Sequence, residues 1–340
     1  RLTLASGGLI ASSATNDRAI NIINGELTAG VLDTGGDLYL HTANLVVTDM
    51  VNRDVNVSAN IVNNGTGAVS LVISGDDGRG TGLDGLLSGS SVNLTGNNTY
   101  TGGTWVNSGR VILNNGSATG TSSTATGTGD LTISGGASTN GNTYQEFRTS
   151  VILGGADQIA HSATVNLNGS ARLNLNGFNQ TIANLVINNT GGHNPEVTTG
   201  AGTLTITGNS ITASGQNASS SAFSAINGKL ALTAATTTFT VNPITWNSEI
   251  LNPIAPNLTI GAVIEGTDLV KTGNGVLRLT GSNAFTGNFD LQAGGLALGS
   301  NNALSTGVLT IGNGTFLTST ADNRIIANAY VISGTFALRD

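Results

Sequence analysis

The chain has no cysteine in its 340 residues. That excludes a disulfide framework and any thiolate metal site. Charge is also scarce. Only 9% of residues are charged, against roughly 25% in ordinary soluble domains. Lysine occurs twice, at Lys229 and Lys271, and the net charge is −7. Nucleic acid is thereby excluded as a partner, since phosphate-driven affinity needs clustered Lys and Arg. No apolar run reaches the roughly 18–20 residues that a membrane-spanning helix requires. No sustained 3.6-residue apolar pattern occurs, so few helices are expected. Proline, at 4 residues, is rare as well.

What is present is glycine, at 49 residues, together with Asn, Thr, Ser and a 38% hydrophobic fraction. Disorder pairs low hydrophobicity with high net charge, and this chain lacks the charge. Many short strands joined by tight turns are expected instead. Asn-Gly occurs nine times, at Asn24, Asn64, Asn115, Asn140, Asn168, Asn176, Asn227, Asn274 and Asn313. Both residues tolerate the positive φ of sharp corners.

Apolar-x-apolar triplets recur at a nearly fixed step. Phe239-Thr240-Val241, Leu258-Thr259-Ile260, Leu277-Arg278-Leu279 and Leu296-Ala297-Leu298 begin 19 residues apart, and Phe316 and Phe336 extend the series by 20. Lys271, Leu291, Ile311 and Val331 step by 20, while Leu94, Leu113, Ile133, Leu153 and Leu173 step by 19 or 20. Val165, Leu185 and Leu204 follow the same rhythm. Period-2 triplets inside a 20-residue repeat predict a solenoid of strands: an all-β, right-handed parallel β-helix with coils of about 19–20 residues. Some 17 such coils at about 4.8 Å each would form a rod roughly 80 Å long. A meandering β-sandwich also uses Asn-Gly hairpins, but the regular step favours stacked coils. The whole chain, 1–340, is read as one continuous helix. The stretches 114–130, 214–225 and 242–257 are expected to be loop excursions, the last because it holds three of the four prolines.

Two stretches repeat without a gap. Leu94 to Leu113 reads LTGNNTYTGGTWVNSGRVIL, and Leu279 to Leu298 reads LTGSNAFTGNFDLQAGGLAL. Leu94/Leu279, Gly96/Gly281, Asn98/Asn283, Thr101/Thr286, Gly102/Gly287, Gly109/Gly294 and Leu113/Leu298 are identical, and Tyr100/Phe285 keeps an aromatic ring. This pattern resembles the passenger-associated transport repeat of bacterial autotransporter passengers. Lys271 to Gly281 is similar to the family's lead-in, and Arg172 to Leu185 to a companion coil. The second unit departs from the first at Asn288 and Phe289, where Gly103 and Thr104 stand.

The resemblance implies a bacterial, exported, extracellular or cell-surface rod. It implies a structural or adhesive role, with an outer-membrane barrel outside this stretch. Self-association or contact with a host or matrix surface would supply partners. The alternatives are a self-assembling filament, sheath or matrix subunit and a polysaccharide-binding or polysaccharide-cleaving β-helix.

Candidate chemistry is sparse. Asp76 to Leu86, DDGRGTGLDGL, offers Asp76, Asp77 and Asp84 as a calcium candidate, but it is one imperfect copy of a nonapeptide that works in tandem. Solvated loop is the preferred reading. The Gly-His-Gly and Arg-x-Lys motifs of pectin-cleaving helices are missing, and Lys229 and Lys271 have no acidic cluster at coil spacing. General acid–base chemistry needs converging groups, so no enzyme activity and no cofactor are expected. His41, His161 and His193 are too dispersed to form a metal site. Tyr100 and Phe285 are read as interior rings. Trp105 has Asp290 as its counterpart, which points it toward solvent and makes it the ligand-binding candidate.

Overall fold

The computed structural model describes residues 1–13, 20–44, 54–75, 91–121, 123–135, 149–191, 194–217, 219, 221–321 and 324–339. Every element among them is a strand. Two long sheets carry the molecule. One has 14 strands, 13 of them on a continuous stacking path, and the other has 13. Two smaller sheets, of three and four strands, cover part of a third side. The chain passes from one sheet to another, and the strands on the stacking paths pair in parallel with those of neighbouring coils. This is a parallel β-helix. Its 13 stacked strands, at about 4.8 Å per step, span roughly 58 Å.

The alternation written in the triplets explains the burial. In Val55–Val57 and Leu204–Ile206 the outer two side chains are buried and the central one is half-buried. Side chains with period 2 face alternately inward and outward. Stacking therefore joins the inward ones into a single apolar cluster running from Leu27 to Leu317.

The register corrects the expected rhythm. Leu94 does stack on Leu113, and Leu279 on Leu298. Lys271, Leu291 and Ile311 also share a column, but the next member is Ile332 rather than Val331. Val165 stacks on Leu185, and Leu258, Leu277 and Leu296 share one column as expected, but at other places the 19-to-20 step crosses between sheets or slips by a residue. Phe239 pairs with Lys271, whereas Leu258 lies in the other long sheet between Ser224 and Leu277. Ile133 sits with Val106 and Leu167 in one sheet, while Leu113 stacks directly on Leu153, 40 residues on. Leu185 stacks on Ile211 rather than Leu204, and Leu296 on Leu317 rather than Phe316. Inward-facing triplets look alike on every side of the helix, so equal spacing does not ensure a shared face. Longer coils also leave 13 layers among the described residues, against the 17 expected.

The irregular segments are partly built into the stack. Within 114–130, Thr124 forms a bridge with Asn98, and Asn115 Nδ2 donates to Ser123 Oγ and the Thr124 carbonyl. Strand Ser210–Gln216 extends into 214–225, and strand Thr236–Trp246 into 242–257. Pro243 stays in that strand because the register slips by one residue opposite Ala213 and Gly215. A bulge tolerates a residue with no N–H to offer the ladder. Glu249–Ile250 then folds back antiparallel on Thr245 and Trp246.

Candidate functional site

Each repeated unit makes one full turn. The first runs from strand Ser91–Leu94 through Thr104–Val106 in the opposite long sheet and back to Arg110–Leu113. The second uses Val276–Leu279, Phe289–Leu291 and Gly295–Leu298 in the same way. The return bend passes through Gly109 at φ 89° and Gly294 at φ 72°, a region that side-chain-bearing residues avoid. At Gly96 and Gly281 the limit is space, because a Cβ would run into the carbonyl oxygens of Ala59 and Ala262 in the coils before.

Buried amides join the coils at the corner. Asn98, 1% exposed, accepts from the Ile61 N–H at 2.8 Å and donates to the Ala125 carbonyl at 2.7 Å. Asn283 repeats this with the Ile264 N–H at 2.9 Å and the Ala303 carbonyl at 2.7 Å. Each side chain stands in for a peptide group where the backbone ladder has turned away. Gln158 and Gln180 do a related job in neighbouring coils. Gln158 Oε1 accepts from the Asn115 N–H while its Nε2 donates to the Asn115 carbonyl. Gln180 grips both backbone groups of Ile159 likewise. These four residues satisfy buried groups that would otherwise be costly.

The structure places Tyr100 and Phe285 inside, at 0% and 1% exposure. Tyr100 Oη lies 2.5 Å from Thr104 Oγ1, which donates to the Thr126 carbonyl. Burial pushes the Tyr100 phenol well above its ordinary pKa. In the second unit the ring of Phe285 meets Phe289 at 6.5 Å between centroids, tilted 46°. The change from Thr104 to Phe289 is thus coupled to the change from Tyr100 to Phe285: a hydrogen-bonded pair is replaced by a ring pair.

The change from Gly103 to Asn288 has its own coupling. Trp105 is 38% exposed. Its six-membered ring fills the space beside Gly103, where a Cβ would meet Cη2 at 2.7 Å and Cζ3 at 2.9 Å. With Asp290 in place of Trp105 that space is free, and Asn288 instead bridges coils, its N–H bonding to Asp268 Oδ1 and its Oδ1 accepting from Val308 N–H. Thr101 and Thr286 are corner residues, each backbone N–H bonding to the preceding coil. A Cβ at Gly102 or Gly287 would collide with Val69 O or Asp268 Oδ1 of that coil.

Lys271, set by the 20-residue series in register with Leu291 and Ile311, is the residue whose surroundings the sequence did not show. It is fully buried in an interior column between Phe239 and Leu291. Its Nζ donates to the carbonyls of Thr272, Gly273 and Ala293 at 2.9, 2.7 and 2.9 Å. Burial pushes its pKa down to about 7. The 20-residue register series that runs through Lys271 was the available signal.

The remaining candidates do not converge. His41 Nδ1 lies 3.0 Å from Ser74 Oγ, and His161 Nε2 lies 2.9 Å from Asp157 Oδ1. Lys229 is exposed. Asp76, Asp77, Asp84 and His193 lie outside the described residues. Among the described residues no group of three His, Asp or Glu could hold a metal ion. Among the described residues there is no helix long and apolar enough to cross a membrane, a statement that does not extend to β-barrels.

A family model described as passenger-associated-transport-repeat matches residues 90–113 and 269–298. No curated protein and no solved structure matches the chain.

Proposed function

The chain carries two passenger-associated transport repeats, the mark of an autotransporter passenger, and on that premise we propose that it acts as a non-enzymatic extracellular rod. It would extend from a bacterial surface, with an outer-membrane barrel supplied elsewhere in the protein. The observation that carries this reading is the pair of buried cross-coil amides, Asn98 and Asn283, in the two matched segments. Such bonds require a coil on either side. A coil emerging from a membrane pore would therefore be completed by docking on the one before it, as expected for nearest-neighbour folding in a solenoid. Export and folding would then proceed in one direction.

A second feature favours a mechanical role over a chemical one. The buried side chains of Asn98, Asn283, Gln158 and Gln180 bond mainly to the backbone of other coils, a structural use of polar groups, and the one hydroxyl described beside an imidazole, Ser74 next to His41, is an exposed pair. The test is to express the chain ahead of an outer-membrane barrel in a Gram-negative host. Whole cells should bind an antibody to the chain, and the exposed rod should survive trypsin. Retention in the periplasm would refute export of this chain as a passenger. Release of reducing ends from polygalacturonate or another acidic glycan would refute the non-enzymatic reading.

A further inference from the structure

Trp105 is not alone on its face. In the parallel register Tyr39 stacks on Val72, and Val72 on Trp105, so the three occupy one outward column of the 14-stranded sheet. Tyr39 is 45% exposed and Trp105 38%. Two coil steps of about 4.8 Å set the rings roughly 10 Å apart along the axis. Both rings lean the same way, toward the residue two positions earlier in their own strands. Tyr39 Oη bonds to Asp37 Oδ2 at 3.0 Å, and the ring of Trp105 lies over Gly103. Tyr39 also passes within 3.6 Å of the position a Cβ on Gly7 would take. Small neighbours thus allow each ring to lie back along the sheet, while Val72 and Ser70, which pairs with Asp37, occupy the step between them.

We propose that Tyr39, Val72 and Trp105 form a stacking platform for an extended, uncharged glycan lying along the rod axis. Aromatic rings present an apolar, electron-rich face that suits the C–H face of a pyranose. In an extended β-linked chain every second sugar turns the same face to one side, which matches rings set on every second coil. Polar groups flank the column for hydroxyl contacts: Asp37 beside Tyr39, Ser74 and His41 beyond it. The one formal charge among these ring neighbours is the Asp37 carboxylate. Its hydrogen bond with Tyr39, followed by its negative charge, raises the Tyr39 pKa. An acidic polysaccharide would be repelled there, and a neutral one would not.

The platform is independent of the rod reading, since it needs only this face of the fold. The experiment is titration of the purified chain with cellohexaose and with fully N-acetylated chitohexaose, followed by tryptophan fluorescence and calorimetry, with polygalacturonate as the acidic comparison. Saturable binding of at least one neutral hexasaccharide is expected, with Trp105→Ala and Tyr39→Ala each weakening it about tenfold or more. Tyr39→Phe should keep most of the affinity because the ring remains, and Trp246→Ala should leave binding unchanged. Circular dichroism on every variant separates lost binding from lost fold. Absence of saturable binding by both neutral probes, equal binding of polygalacturonate, or folded Trp105→Ala and Tyr39→Ala variants that bind as the wild type would each overturn the proposal.

Discussion

Replacing Asn98 by alanine should damage the stack at one defined place. The substitution leaves the Ile61 N–H and the Ala125 carbonyl, in different coils, without their partner. A buried group left unsatisfied costs about 1–3 kcal/mol, so the pair should cost about 2–6 kcal/mol. Asn283→Ala should cost a similar amount through Ile264 and Ala303. The two sites are many coils apart, so the double variant should show nearly additive losses. Urea unfolding followed by circular dichroism gives the global loss. A solenoid can unfold in parts, so native-state hydrogen exchange is the sharper readout. The Ile61 amide should lose at least tenfold protection in Asn98→Ala, and the Ile264 amide only in Asn283→Ala. Exposed Asn97, mutated as a control, should change stability by less than about 0.5 kcal/mol. A loss under 1 kcal/mol for Asn98→Ala, with unchanged exchange at Ile61, would refute the idea that these amides hold neighbouring coils together.

Three further outcomes follow from other buried groups. Lys271 has a folded pKa of about 7 against an ordinary value of 10.5; between those values the unfolded chain holds a proton that the folded chain has released. Stability should therefore rise by a few kcal/mol from pH 7 toward 10.5. Lys271→Met should flatten that rise in urea midpoints measured across the range, and an unchanged slope would place the titrating group elsewhere. Tyr100→Phe should cost only about 1 kcal/mol, since it removes one hydrogen bond and the second unit already houses a phenylalanine there. Phe285→Ala should cost about 3–5 kcal/mol by thermal unfolding, as expected for an emptied core ring site; a smaller loss for Phe285→Ala than for Tyr100→Phe would contradict the packing described.

Much of the architecture was legible in the chain. Alternating triplets and Asn-Gly corners point to stacked strands, and the gapless repeat of Leu94–Leu113 at Leu279–Leu298 identifies one coil with its flanking turn. That repeat also located Asn98 and Asn283, although nothing local distinguishes buried Asn98 from exposed Asn97. What sets the buried amides apart is their partners, Ile61 and Ala125 for Asn98 and Ile264 and Ala303 for Asn283, which only the stacked coils bring within reach. Coupling between Tyr100 and Thr104, or between Trp105 and Gly103, was visible as sequence divergence between the units but had no physical meaning until the rings were placed. Lys271 was legible as a member of an apolar register series, but what receives its ammonium was not, because one of its three carbonyl partners, Ala293, lies 22 residues on in another coil. Three carbonyl oxygens at a coil junction give its ammonium a place inside.

By itself the sequence determined which short segments can be strands, where the chain can bend sharply, and that like units must stack to bury their apolar sides. Those are local matters of side-chain alternation, glycine and asparagine. Only the tertiary structure decided which triplet meets which. Coils of unequal length carry equally spaced triplets onto different sheets, so Phe239 joins Lys271 and not Leu258. For the same reason Tyr39 and Trp105, 66 positions apart in the chain, share one outward column. Parallel pairing depends on the length of every intervening turn, and that is a property of the whole stack.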